Sequence, residues 1–140
     1  MTPEQVQIVK LTFAQAMSNK DKVGRMFYDR LFAVAPETKP LFKGDIDAQS
    51  RKLMDTLALA IGMLRDMPTL VATLQSLAKR HVAYGVRDEH YDQVGEVLLW
   101  TLEKGLGQAF TPDARTAWAT LYGAVATIMR DAVKPAAAVA

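Results

Sequence analysis

His81 is the residue of this chain with most chemistry to offer, because it stands where an apolar side chain is expected. Leu70, Leu74, Leu77 and His81 follow one another at intervals of four, three and four. That spacing marks one face of a helix and predicts an imidazole pointing inward with the leucines. Two more polar side chains interrupt apolar faces: Tyr28, beside Phe27 and Leu31, and Gln49, one turn before Leu53. Buried polar groups need partners. Either each is satisfied separately by backbone or a trapped water, or the three share one ligand pocket. His90 precedes Tyr91 near a helix start and reads as an exposed surface histidine without a role.

Cysteine is absent, which excludes a disulfide framework, a thiolate zinc site, a cysteine nucleophile and an iron–sulfur cluster. Any metal then depends on His, carboxylate, Tyr or Met. For a shared pocket, imidazole is the natural axial ligand of haem iron. A porphyrin is a large flat apolar body that needs facing helices lined by Leu, Val, Phe and Met, with few polar groups opposite the imidazole. The apolar stripes contain those components.

The elements that must position these residues are helical. Thr2, Pro3 and Gln5 form a capping-box pattern opening a helix through Val6, Val9, Phe13 and Met17. A second helix starts at Asn19 or Asp21 and runs to about Ala35, before a proline turn ending at Pro40-Leu41-Phe42. A third is predicted from about Ala48 to Asp66, with Pro68 separating it from the helix of His81, which Gly85 ends. Asp88 is the expected cap of a fifth, from about Glu89 to Lys104, with Gly105 and Gly107 as its stop. Thr111-Pro112 opens the last, whose stripe is Trp118, Leu121, Tyr122, Val125, Ile128, Met129 and Ala132. Trp100, Trp118 and the methionines read as core filling. No strand alternation or internal repeat is present, so the class is all-α, and the proline corners favour crossed helices over an up-down bundle. Residues 1–134 read as one domain and 135–140 as a frayed tail.

With 17 basic and 15 acidic side chains, net charge gives no electrostatic case for nucleic acid or a charged membrane surface. The first twenty residues lack the apolar run of a secretory signal, and no apolar stretch is long enough for a membrane span, so a cytoplasmic address is the expectation.

From end to end the sequence resembles a globin, and is most similar to single-domain bacterial haemoglobins and the globin module of flavohaemoglobins, its second half also to neuroglobin. The resemblance is carried by MFYDRLF at 26–32, PETKPLF at 36–42, QSRKLM at 49–54, KRHVAYGV at 79–86, HYDQVGEVLL at 90–99 and AWATLYGAV at 117–125. It implies the globin fold, crossed helices around a pocket for haem b, with His81 as proximal iron ligand and Phe42 packed on the haem. It implies Tyr28, Gln49 and Leu53 on the distal side, with the Tyr28 hydroxyl donating to a diatomic ligand. Leu57, Leu77, Val86, Tyr91 and Val94 complete the implied lining, and Lys52 and Arg80 match cations near the propionates. A solvated helix face suits Lys52 at least as well. Gly24 and Ser50 fall where the family keeps small residues at a helix crossing.

The sequence departs from these relatives twice. Gln49 stands where neuroglobin has a histidine, and an amide is a poor iron ligand, so the sixth site is expected to be open or water-bound. Val133 falls where flavohaemoglobins place a glutamate beside the proximal histidine, an absence that argues against peroxidase-like O–O cleavage. The leading expectation is reversible binding of dioxygen, with carbon monoxide and nitric oxide as further ligands, for storage, transport or sensing. The enzymatic alternative is nitric oxide dioxygenation, for which 140 residues consumed by helices leave no flavin or nicotinamide domain and a separate reductase would supply electrons. A haem-free interaction module would keep the helices but leave His81, Tyr28 and Gln49 buried to no purpose. A gas sensor would need an output domain.

Overall fold

The computed structural model describes residues 1–133, so the expected tail lies outside the described residues. Six α-helices carry them: α1 Pro3–Met17, α2 Lys20–Val34, α3 Ile46–Gly62, α4 Met67–Ala83, α5 Asp88–Leu106 and α6 Pro112–Ala132. Short 3-10 turns span Pro36–Leu41 and Gly107–Ala109. The described chain is all-α, as the periodicity predicts. The Thr2–Gln5 capping box forms in both directions, and Thr111 caps α6 through its side chain.

Boundaries shift where capping overrides pattern. Helix α3 stops at Gly62, because Asp66 is the cap of α4: its carboxylate accepts from the Thr69 amide and hydroxyl, placing Pro68 in the first turn. Asp88 is the first residue of α5 and not its cap. Gly105 lies inside α5, and Gly107, at φ +57°, ends it.

Helix α2 packs on α3 and α5, α4 on α6, and α1 on α6. The α2–α3 crossing is close at Gly24, where a Cβ would stand 3.0 Å from the Ser50 Cβ and carbonyl oxygen. The core is consequently in two parts. The larger holds Val9, Phe27, Leu31, Met54, Val97 and Trp118, and the smaller holds Leu70, Leu74, Ala78, Ala126 and Met129. Leu64, Tyr122 and Val125 touch both. Helix α3 therefore leans on α2 and α4 on α6, and Leu53 and Leu57 of α3 and Leu77 of α4 are only half-buried.

Some expected core residues lie elsewhere. Of the methionines only Met54 and Met129 are buried, and Met1 and Met67 are exposed. Trp100 is half-buried, with the Arg30 guanidinium 4.7 Å above its ring. That cation shields an indole face the core does not reach.

Candidate functional site

His81 lies in the last turn of α4, half-buried, and its Nδ1–H donates to the Leu77 carbonyl oxygen at 2.9 Å. This bond uses the helix's own i−4 acceptor, orients the ring and leaves the lone pair on Nε2 uncommitted. The helix ends immediately afterwards. Gly85 takes φ +94°, its N–H bonds the Val82 carbonyl, and the Val86 N–H returns to the His81 carbonyl at 3.0 Å. This Schellman closure fixes the turn that carries the imidazole. Burial lowers the His81 pKa and nearby Arg80 and Lys52 lower it further, while the Leu77 carbonyl pulls it upward. The ring is thus held neutral at neutral pH, the form that coordinates metal.

Tyr28 projects from α2 with 2% of its surface exposed. Phe27 and Phe42 meet its ring edge-on at 5.0 and 5.1 Å. The Gln49 Nε2–H of α3 donates to the Tyr28 oxygen at 3.3 Å, leaving the phenolic proton free to donate elsewhere. Burial pushes the Tyr28 pKa up to about 12, against the opposing effect of Gln49, so the group stays a neutral donor. Two of the three polar intruders are therefore partners of each other, and the third turns to its own helix.

The apolar residues expected around them fall on both sides of the divided core. Phe42, Leu53, Leu57 and Val94 pack against its larger part, Leu77 and Val86 against the smaller, and all six are only half-buried. Lys52 and Arg80 are exposed, yet both bear on the charge of His81. Tyr91 is buried in the smaller part with its hydroxyl unpartnered and the Arg130 guanidinium 5.3 Å above its ring. Val133 is half-buried among the same apolar residues and offers that hydroxyl no acceptor.

His90 corrects the expectation of a surface residue: it is 5% exposed, and its Nδ1 accepts from the Arg87 N–H at 2.9 Å. As the third residue of α5 it reaches back to the helix's first free amide, the task of a capping-box side chain. Its Nδ1 lone pair is spent, whereas His81 Nε2 is free. Pattern reading also passes over two buried bonds: Trp118 Nε1–H to Thr12 Oγ1 at 2.8 Å, and the Tyr122 hydroxyl to the Tyr91 carbonyl at 2.6 Å. The signal for both lay in polar atoms on stripes read only as volume.

A free imidazole nitrogen, half-buried apolar side chains around it and a phenol with an unspent proton suit a large flat apolar group that brings its own metal. The family model described as Globin matches residues 25–129. Proteins named Flavohemoprotein from Bordetella pertussis, Bordetella parapertussis and Bordetella bronchiseptica are each 32% identical to the chain over 133 residues. The match covers 92% of this chain and 33% of each relative, so the chain spans about a third of the length of these curated relatives. Among the described residues no helix is long and apolar enough to cross a membrane.

Proposed function

The chain belongs to the globin family, and on that premise we propose that it binds haem b between α3 and α4 and uses it to bind dioxygen reversibly. Haem is the group the family implies, and the residues present fit it. The single observation carrying the proposal is the state of His81: neutral, oriented by Leu77, with Nε2 unspent, on a wall of half-buried apolar side chains. The missing cysteines exclude a thioether link to the macrocycle, which supports the b type.

His81 would hold the iron, and Phe42, Leu53, Leu57, Leu77, Val86 and Val94 would exclude water from the macrocycle. Lys52 and Arg80 would meet the propionates, and Tyr91 would pack on the proximal side. When bound, ferrous haem supplies a site for dioxygen, carbon monoxide or nitric oxide. Gln49 orients the Tyr28 hydroxyl, and the phenolic proton stabilises a ligand that draws negative charge. Leu53 keeps the rest of that side apolar.

The resemblance to flavohemoproteins, whose name joins flavin to haem, favours a second reading. In it the same pair serves nitric oxide dioxygenation, with electrons from a separate reductase. Nitrate formed per equivalent of nitric oxide, with and without an electron donor, separates a carrier from an enzyme.

Hemin titration tests the proposal itself. The wild type should take one equivalent and give a ferrous spectrum with a single imidazole ligand, and His81→Ala should lose that spectrum. A colourless protein that declines hemin, or a variant with an unchanged spectrum, overturns it.

A further inference from the structure

On α2, Phe32 stands one turn after Tyr28 and Asp29 one turn after Arg25, so the helix carries an aromatic row beside a charged one. The Phe32 ring lies 5.9 Å from that of Tyr28 and 5.7 Å from that of Phe42, and Phe42 itself meets Tyr28 at 5.1 Å. Phe32 and Phe42 also line a cleft of about 350 Å³ that opens to solvent, and Ile46 completes its apolar floor. Two ring contacts therefore join this cleft to the phenol. Arg25, Asp29 and Lys39, all exposed, stand at the mouth. Arg25 spends its charge on Asp29 and Asp47, each at 3.0 Å. A mouth of mixed sign does not select an ion, and an apolar floor suits a small uncharged ligand.

We propose that this cleft is the path by which dioxygen and other uncharged diatomic gases reach Tyr28, with Phe32 as its inner gate. Its destination rests on the haem proposal, whereas the cleft belongs to the protein alone. The approach between α3 and α4 is the one the macrocycle itself would fill, so a gas needs another way to the buried phenol. Two closures lie in series along the cleft. The outer one is Arg25, whose ion pairs are exposed and therefore weak, so the mouth opens readily. The inner one is the contact of Phe32 with Phe42. Tyr28 and Phe27 are 2% and 3% exposed and have no room to turn, but Phe32 is half-buried and has the cleft to turn into. A gate alters the barrier and leaves the end states alone, so it changes entry and exit by the same factor. That equality separates Phe32 from Tyr28, whose hydrogen bond acts on release.

Carbon monoxide is the probe on the hemin-loaded, reduced protein. Phe32→Trp places a larger ring at the gate and should slow association and release together, each at least about threefold, with the equilibrium affinity held within about twofold. Phe32→Ala should speed both at least about twofold. A second reading uses the full chain without hemin. Dissolved dioxygen is paramagnetic and relaxes the nuclei it visits. Under oxygen pressure the Ile46 methyl protons should relax at least about twofold more than those of Ile8, because an apolar space takes up an apolar gas. Ile8 is the matched control, also half-buried against the larger part of the core. Unchanged rates in both Phe32 variants, a change in release alone, or relaxation of Ile46 no greater than that of Ile8 overturns the proposal. Failure to take hemin sinks the haem reading separately, since the relaxation is read without it.

Discussion

The Gln49 amide of α3 donates to the Tyr28 hydroxyl of α2 across 3.3 Å, so the phenol accepts one hydrogen bond and keeps its own proton to give. Two successive α-helices thereby set the direction of a single O–H. Tyr28→Phe removes that proton while keeping the ring contacts with Phe27 and Phe42. Loss of one such bond, about 0.5–1.5 kcal/mol, should accelerate dioxygen release by about twofold to thirteenfold. Carbon monoxide, less polarised when held, should be affected much less. Stopped-flow release rates for both gases check this, and equal changes for the two would remove Tyr28 from the proposed role.

Acid should act through His81. Its folded pKa lies below the ordinary value of about 6.5, because burial disfavours the cation. On acidification the unfolded chain takes up the proton first. The stability attached to neutral His81 is therefore complete above the unfolded pKa and is lost as pH falls through the folded one. Urea midpoints of the apoprotein should decline through that window more steeply than those of His81→Leu. Parallel curves would show that the imidazole is not buried as described.

The α2–α3 crossing depends on a missing side chain. A Cβ at Gly24 would meet Ser50 at 3.0 Å, and one of the atoms met is backbone, which cannot rotate away. Gly24→Val should cost about 1–3 kcal/mol through overpacking. Because Tyr28 and Gln49 sit on the two helices forced apart, the variant should also lose discrimination between dioxygen and carbon monoxide. Unchanged thermal stability would refute the close approach.

How far the sequence discloses this architecture depends on what carries the information. His81 is legible because a polar residue breaks a leucine stripe, and Gly85 because only a left-handed residue closes α4 there. The Thr2 box is legible because its geometry is local. His90 is not: its burial depends on Arg87 adopting the cap position, and Asp88 is the better cap by residue type. The Tyr28–Gln49 bond spans 21 residues and exists only once α2 crosses α3, so the sequence marks both polar positions without pairing them. Trp100 satisfies a core pattern, yet the helix turns its indole toward Arg30.

Trp118 carries a consequence of its own. It is 1% exposed, and its indole N–H has a partner in Thr12, 106 residues earlier, whose hydroxyl proton goes on to the Ile8 carbonyl at 2.7 Å. Each polar atom is satisfied because Thr12 is both acceptor and donor. Thr12→Val keeps the volume and removes the acceptor, leaving a buried N–H unpaired at about 1–3 kcal/mol. Thr12→Ser retains the hydroxyl and loses one methyl, about 0.8 kcal/mol of burial by the usual transfer value. The urea midpoint, followed by tryptophan fluorescence, should therefore fall in the order wild type, Thr12→Ser, Thr12→Val. A valine variant as stable as the wild type would mean that the indole finds another acceptor, and the α1–α6 contact would then rest on packing alone.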